Sequence, residues 1–330
     1  LHAMWRALPV PFILSVLRHT GAAQASKTAP EFSLNGPHPS LSSRDLQRYF
    51  KENALVFQQP LRVDELMFAA VACEQVYHEA NVTSGQLNLS ASVTSCANCI
   101  VLAVRGTAQD SDWDLNASVG LVQAKRLSEH PSKTQWPAYV HSGFLSAANS
   151  LWPAVSEMLY REESSIRKSA DAKARTRPIY VVGHSLGGAV ACLLANKLLT
   201  HSLLLGPDHS ACFVGRGGHP LRLITFGQPA VGNAMYINSL SEVLNNAHKL
   251  EYRTAEGSCY FRVFHSGDPV CALPPRVSTN EGETYTQGGA TLDLSMNNEV
   301  SGTATKAQVK YERDRWDKRI DKSHPVLRPL

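Results

Sequence analysis

Ile179-Tyr-Val-Val-Gly-His-Ser-Leu-Gly-Gly188, continued by Ala189-Val-Ala-Cys-Leu-Leu-Ala-Asn-Lys-Leu-Leu199, is the stretch that decides the architecture of this chain. Ile179 to Val182 is apolar without alternation, the pattern of a short strand buried on both faces. From Leu186 to about Leu199 the apolar run has helix length. At the junction lies Gly183-His184-Ser185-Leu186-Gly187, a G-x-S-x-G pattern. In a strand–turn–helix setting this pattern puts the serine at a sharp bend, with glycines where a side chain would strike strand or helix. Ser185 is therefore a candidate nucleophile. The Leu186 N–H, the first amide of the helix, is a candidate donor to negative charge developing on an oxygen beside it, helped by the helix dipole. His184 is adjacent to the serine and points elsewhere on the turn, so it is not taken as a base.

Outward from this junction, strand and helix patterns alternate. Asp64 to Ala80 reads as a helix with Leu66, Ala70, Cys73 and Tyr77 on one stripe and Asp64 and Glu65 in its first turn. Cys99 to Val104 is a continuous apolar run of strand length. Leu145 to Ile166 places Leu151, Val155, Met158, Leu159 and Ile166 on one helical face. Leu221 to Phe226 and Tyr260 to Phe264 are strands again. Buried strands separated by helices predict an α/β fold, a mostly parallel central sheet flanked by helices in a single domain. His201 to Pro220 reads as an inserted loop. Val309, Trp316 and Ile320 mark a charged, solvated helix near the C-terminus.

Composition fits this architecture. The 330 residues are 43% hydrophobic and 18% charged, a globular balance rather than a disordered one. The 32 Lys+Arg against 28 Asp+Glu leave +4 over a long chain, too weak a charge to imply nucleic acid. Trp5 to Leu17 is too short and proline-interrupted to span a bilayer, so no transmembrane anchor is expected. Residues 1–25 read instead as an export signal. Arg6 precedes the apolar run Ala7 to Leu17, and Ala23-Gln-Ala25 offers cleavage before Ser26. A secreted mature domain of residues 26–330 is the expectation. Asn81, Asn88 and Asn116 each head a glycan acceptor sequon. Cysteines 73, 96, 99, 192, 212, 259 and 271 are then open to disulfide formation, with Cys192, on the apolar helix, the expected free thiol. Cys96-Ala-Asn-Cys99 has redox or zinc spacing but lacks a second Cys or His pair, so no metal is expected.

In the α/β-hydrolase arrangement that carries such an elbow, the partners of the serine follow it in the order acid, then histidine. Asp268 follows the strand Tyr260 to Phe264 across the turn His265-Ser266-Gly267, which puts it at the carboxyl end of the sheet, the edge that carries Ser185. Asp208, Glu251 and Glu281 fall in polar loop segments without that context. Beyond Asp268 the only histidine is His324. His265 is the rival base, and it would break the chain order.

Five segments resemble the fungal-type class 3 lipases. Val101-Leu-Ala-Val-Arg-Gly-Thr107 is similar to that family's strand ending in an R-G-T or R-G-S turn, and Val140-His-Ser-Gly-Phe144 to its V-H-x-G-F segment. Tyr180 to Gly188 resembles its nucleophile elbow. Thr225-Phe-Gly-Gln-Pro-Ala-Val-Gly-Asn233 resembles its T-F-G-x-P-x-V-G-N strand and turn. Arg262-Val-Phe-His-Ser-Gly-Asp-Pro-Val270 with Leu273-Pro-Pro275 resembles its acid loop. The resemblance implies Ser185 as nucleophile, Asp268 as acid and His324 as base, with Thr107 the second oxyanion donor beside Leu186. It also makes Ala108 to about Val122 a lid, whose apolar side would hold Trp113, Leu115, Val119, Leu121 and Val122. An ordinary surface loop, with Asp110, Asp112 and Asp114 in water, is the plainer reading of that segment.

The implied function is a secreted serine ester hydrolase, a triacylglycerol lipase working at a lipid–water interface without cofactor or metal. A phospholipase A1 or a soluble carboxylesterase on the same triad is the alternative. A non-catalytic lipase-like scaffold that binds a lipid or protein is the reading from another class, and its usual sign is a missing triad member. Three features depart from the family pattern: the 201–220 insertion, the Ser323-His324-Pro325 setting of the histidine, and the sequon at Asn116 on the lid.

Overall fold

Four apolar runs become the centre of one sheet because each finds helices on both of its faces. The computed structural model describes residues 63–84, 89–96, 99–106, 120–124, 138–167, 177–204, 220–252, 259–265, 268–274 and 284–293. The segments expected to be an export signal, most of the inserted loop and the C-terminal charged helix lie outside the described residues.

In chain order the elements are α1 (Val63–His78), β1 (Val82–Ser84), β2 (Leu89–Ser95), β3 (Ile100–Val104), β4 (Leu121–Gln123), β5 (Tyr139–His141), α2 (Ser142–Arg167), β6 (Ile179–His184) and α3 (Leu186–Leu204). Then come β7 (Leu221–Phe226), β8 (Gly232–Asn233), α4 (Ala234–Tyr252), β9 (Tyr260–Phe264), β10 (Tyr285–Thr286) and β11 (Ala290–Asp293). The main sheet has the order β1-β2-β3-β6-β7-β9-β11. Its β1–β2 and β2–β3 pairings are antiparallel, and those from β3 through β11 are parallel. This is the mostly parallel sheet flanked by helices that the alternation predicts.

Helix α1 covers one face. Leu66, Phe68, Ala70 and Cys73 pack on Val101, Ala103, Tyr180, Val182, Ile224 and Phe226. Helices α2, α3 and α4 cover the other, against Ile100, Leu102, Ile179, Val181, Leu223 and Tyr260. Ala189 to Ala195 of α3 are buried on every side, which is why this helix has no polar stripe in sequence. One buried ion pair crosses the α1 face. Glu65 in the first turn of α1 accepts from the Arg222 guanidinium of β7 and from the Tyr180 hydroxyl at 2.7 Å. Glu65 thus lies inside the fold.

Other differences from the sequence expectations have local causes. A second sheet, ordered β10-β8-β5-β4, consists of strands of two or three residues, too short to show any period. Helix α3 runs on to Leu204, so the insertion starts later than His201. Glu251 lies in α4, not in a loop. Cys73, Cys96, Cys99, Cys192 and Cys271 are buried free thiols, so no disulfide joins any two of them and Cys192 is not singular. Burial pushes the Cys192 thiol up to about 12, so it keeps its proton and is unreactive. No helix among the described residues is long and apolar enough to cross a membrane.

Candidate active site

The parallel register sets the carboxyl ends of β3, β6, β7 and β9 along one edge: Val104 pairs with Gly183, His184 with Phe226, and Phe226 with Val263. Ser185 leaves β6 at that edge with φ +56, the sole positive φ of a non-glycine residue among the described residues. A backbone in this region costs about 1–3 kcal/mol and persists only where the surroundings fix it. Here the Ser185 amide donates to the Phe226 carbonyl at 2.8 Å, and the Gly188 amide donates back to the Ser185 carbonyl at 2.9 Å. Gly183 and Gly187 meet backbone to backbone: a Cβ on Gly183 would strike the Gly187 carbonyl, and one on Gly187 the Val104 carbonyl. The glycines of the motif are therefore demanded by close approach. Leu186 opens α3, so its amide is among those without an intrahelical acceptor at the positive end of the helix dipole.

Asp268 leaves the same edge two strands away, about 10 Å at ordinary strand spacing. It is 1% exposed. A carboxylate this buried needs donors, and it has them. Asp268 N-caps the short helical turn Pro269–Ala272, accepting from the Val270 amide at 2.9 Å. The Cys271 thiol, kept protonated by burial, also donates to it. The Asp268 amide in turn donates to the His265 carbonyl at 2.9 Å. His265 thus belongs to the backbone turn that carries Asp268.

The described residues bring Ser185, Leu186 and Asp268 to one edge. Thr107, His324, Trp113 and Leu115 lie outside them, as do Asn88 and Asn116. Gly106, directly before Thr107, is described and lies against the elbow: a Cβ there would come 3.1 Å from the Ser185 Cβ. Leu121 and Val122, at the end of the segment expected as a lid, form strand β4, paired antiparallel with β5; residues 108–119 of that segment lie outside the described residues. Asn81 is exposed ahead of β1. Its side chain donates to the Val93 carbonyl at 2.8 Å and accepts from the Val93 amide at 2.9 Å. A glycan there would share the nitrogen that makes the first of these bonds.

Two polar features near the elbow went unread in the sequence. The Tyr77 hydroxyl lies 2.9 Å from His184 Nδ1; its helical spacing marked Tyr77 only as core. Beneath the elbow, the Cys192 thiol and the Tyr260 hydroxyl both donate to Gln228 Oε1, at 3.3 and 2.9 Å. No periodicity signals such a cluster.

Residues 101–278, more than half of the chain, match the family described as lipase (class 3). Among curated proteins, the secreted mono- and diacylglycerol lipase 1 of Fusarium solani is 28% identical over 181 residues, 54% of this chain and 40% of that protein. Lipase A of Sodiomyces alcalophilus is 35% identical over 152 residues, 44% of this chain and 30% of its own length. Phospholipase A1-II 4 of Oryza sativa subsp. japonica is 30% identical over 181 residues, 53% and 40% of the two chains. The matches span less than half the length of these relatives.

Proposed function

Because the chain belongs to the class 3 lipase family, we propose that it hydrolyses lipid carboxylic esters, with Ser185 as nucleophile, Asp268 as acid and His324 as base. The observation that carries this reading is Ser185 itself, held at φ +56 between a buried strand and the first amide of a buried helix. In the proposed reaction His324 takes the Ser185 proton as the hydroxyl attacks the ester carbonyl, and Asp268 orients the imidazole and stabilises its cation. The Leu186 amide and Thr107 receive the charge on the carbonyl oxygen, the alcohol leaves, and water releases the fatty acid from the acyl-enzyme. All of this is carried by side chains and backbone amides, without a cofactor.

Triacylglycerol is the substrate proposed first, with Trp113 and Leu115 on a lid that meets the lipid surface. The name of the Fusarium solani relative brings mono- and diacylglycerols into the same class. The rice relative, named a phospholipase A1, favours phospholipid as the second reading. Secretion after cleavage before Ser26, and glycans on Asn81, Asn88 or Asn116, are proposed from the export-signal pattern and the sequons. The Fusarium solani relative, named as secreted, agrees with the first of these.

The experiment is turnover of emulsified triolein, diolein, phosphatidylcholine vesicles and soluble p-nitrophenyl butyrate by the secreted protein and its Ser185→Ala variant. Acylglycerol turnover abolished by the substitution supports the first reading. A phosphatidylcholine rate above the acylglycerol rates moves the second ahead. Hydrolysis retained in Ser185→Ala refutes both.

A further inference from the structure

We propose that Tyr77 is a positioning residue for ester hydrolysis: its hydroxyl pins the nucleophile elbow against the Arg105-Gly106 turn and so holds Ser185 and the Leu186 amide in place. The inference rests on Ser185 being the nucleophile.

Tyr77 sits in the last turn of α1, half-buried, and its ring meets that of His184 edge-on with centroids 5.9 Å apart. Its oxygen is 2.9 Å from His184 Nδ1, and the Gly106 amide donates to the same oxygen. Burial holds the phenol above its ordinary value, so it keeps its proton. That proton is donated to Nδ1 in the His184 tautomer that carries its own ring proton on Nε2. One hydroxyl thereby joins two chain segments that are far apart in sequence.

Those two segments leave each other almost no room. A Cβ at Gly106 would fall on the Tyr77 oxygen and on the His184 carbonyl, and 3.1 Å from the Ser185 Cβ. On the opposite side of the elbow, Gly187 abuts the Val104 carbonyl and Arg105. The end of β3 and the elbow therefore interlock through backbone, and the Tyr77 hydroxyl is the polar link between them. Ser185 and the Leu186 amide, the proposed nucleophile and oxyanion donor, follow His184 directly in the chain, so the Tyr77 contact sets where they stand against the end of β3 without touching substrate. The rest of α1 is held independently by Leu66, Phe68, Ala70 and Cys73 in the core and by the Glu65–Arg222 pair. The fold does not need the hydroxyl.

The test is Tyr77→Phe in the full chain, assayed on soluble p-nitrophenyl butyrate and with an alkyl boronic acid that forms a tetrahedral adduct on the active serine. Loss of one hydrogen bond's worth of alignment predicts kcat about tenfold lower. KM should be unchanged, boronate binding weakened by the same factor, and the melting temperature close to wild type. His184→Gln cuts the link from its other end and serves if Tyr77→Phe does not fold. It should give a similar loss, and the double variant should be no worse than either single one. Unchanged kcat and boronate affinity in a folded Tyr77→Phe, a loss confined to KM, or additive losses in the double variant overturn the inference. Ser185→Ala, run alongside, separates the two levels: its inactivity keeps the reading of the site whatever Tyr77→Phe does, and its activity removes both.

Discussion

Replacing Arg222 by Met tests the buried ion pair that fastens α1, the helix carrying Tyr77, to the sheet. Arg222 and Glu65 are both 0% exposed, and Tyr180 donates to the same carboxylate oxygen. Met fills much of the arginine stem but leaves Glu65 buried without its cation. Removing one partner of such a pair costs about 3–5 kcal/mol, because the remaining charge is uncompensated. For a domain of this size 1 kcal/mol shifts Tm by about 2–4 °C, so a fall of about 6–20 °C follows. The stranded carboxyl relieves itself by taking up a proton in the folded state. The folded variant then binds a proton that its unfolded chain releases at neutral pH, so its deficit relative to wild type shrinks as pH falls from 8 to 5. Removing the polar set together, as Glu65→Leu, Tyr180→Phe and Arg222→Met, should recover at least half the loss, since a packed apolar core can replace a buried pair. Urea unfolding followed by circular dichroism at pH 5 and pH 8 measures all of these. A single variant within 1 kcal/mol of wild type, or a deficit that grows as pH falls, would refute the reasoning.

Three further outcomes are expected. His324→Ala should cost about four to six orders of magnitude in turnover, measured on p-nitrophenyl butyrate with folding checked by circular dichroism; normal activity there with loss in His265→Ala would reassign the base. Thr107→Ala should lower kcat about 100- to 1,000-fold at unchanged KM, whereas Thr107→Ser stays near wild type; equal losses in both would make the methyl a structural contact. Trp113→Ser with Leu115→Ser should lower the ratio of triolein-emulsion to p-nitrophenyl butyrate activity, because burying the two side chains against lipid contributes about 3–6 kcal/mol to opening. A ratio unchanged in glycosylated and deglycosylated protein would remove these residues from the lid face.

The sheet was legible where burial on both faces erases alternation. Leu221–Phe226 and Tyr260–Phe264 fall where the apolar runs put them, and the helix expected over Asp64 to Ala80 forms as Val63–His78. Strand β2 escaped notice because its sequence, Leu-Ser-Ala-Ser-Val-Thr-Ser, reads as polar. It is a strand through pairing with β3, and its small hydroxyl side chains Ser90 and Ser92 are buried. Helix α4 does carry a stripe, with Tyr236, Ile237, Leu240 and Leu244 buried, but Asn238 within it and Asn245 and Asn246 after it weaken its helical propensity. Near the site, the motif placed Ser185 at a strained turn, and the structure has it there. The Tyr77–His184 contact joins residues 107 positions apart and leaves no trace in local pattern. The buried Glu65 was hidden for the same reason, because its partner lies on a distant strand.

The claim that Ser185 is an activated nucleophile is tested most directly by covalent capture. A long-chain alkyl fluorophosphonate reacts with a serine only where a base and oxyanion donors activate it. Incubation with the full chain, followed by peptide mass spectrometry, should place one phosphonyl group on Ser185 in step with loss of esterase activity. Ser185→Ala should take up none and hydrolyse nothing. An unlabelled Ser185 in folded protein, or ester turnover that survives Ser185→Ala, would contradict the account.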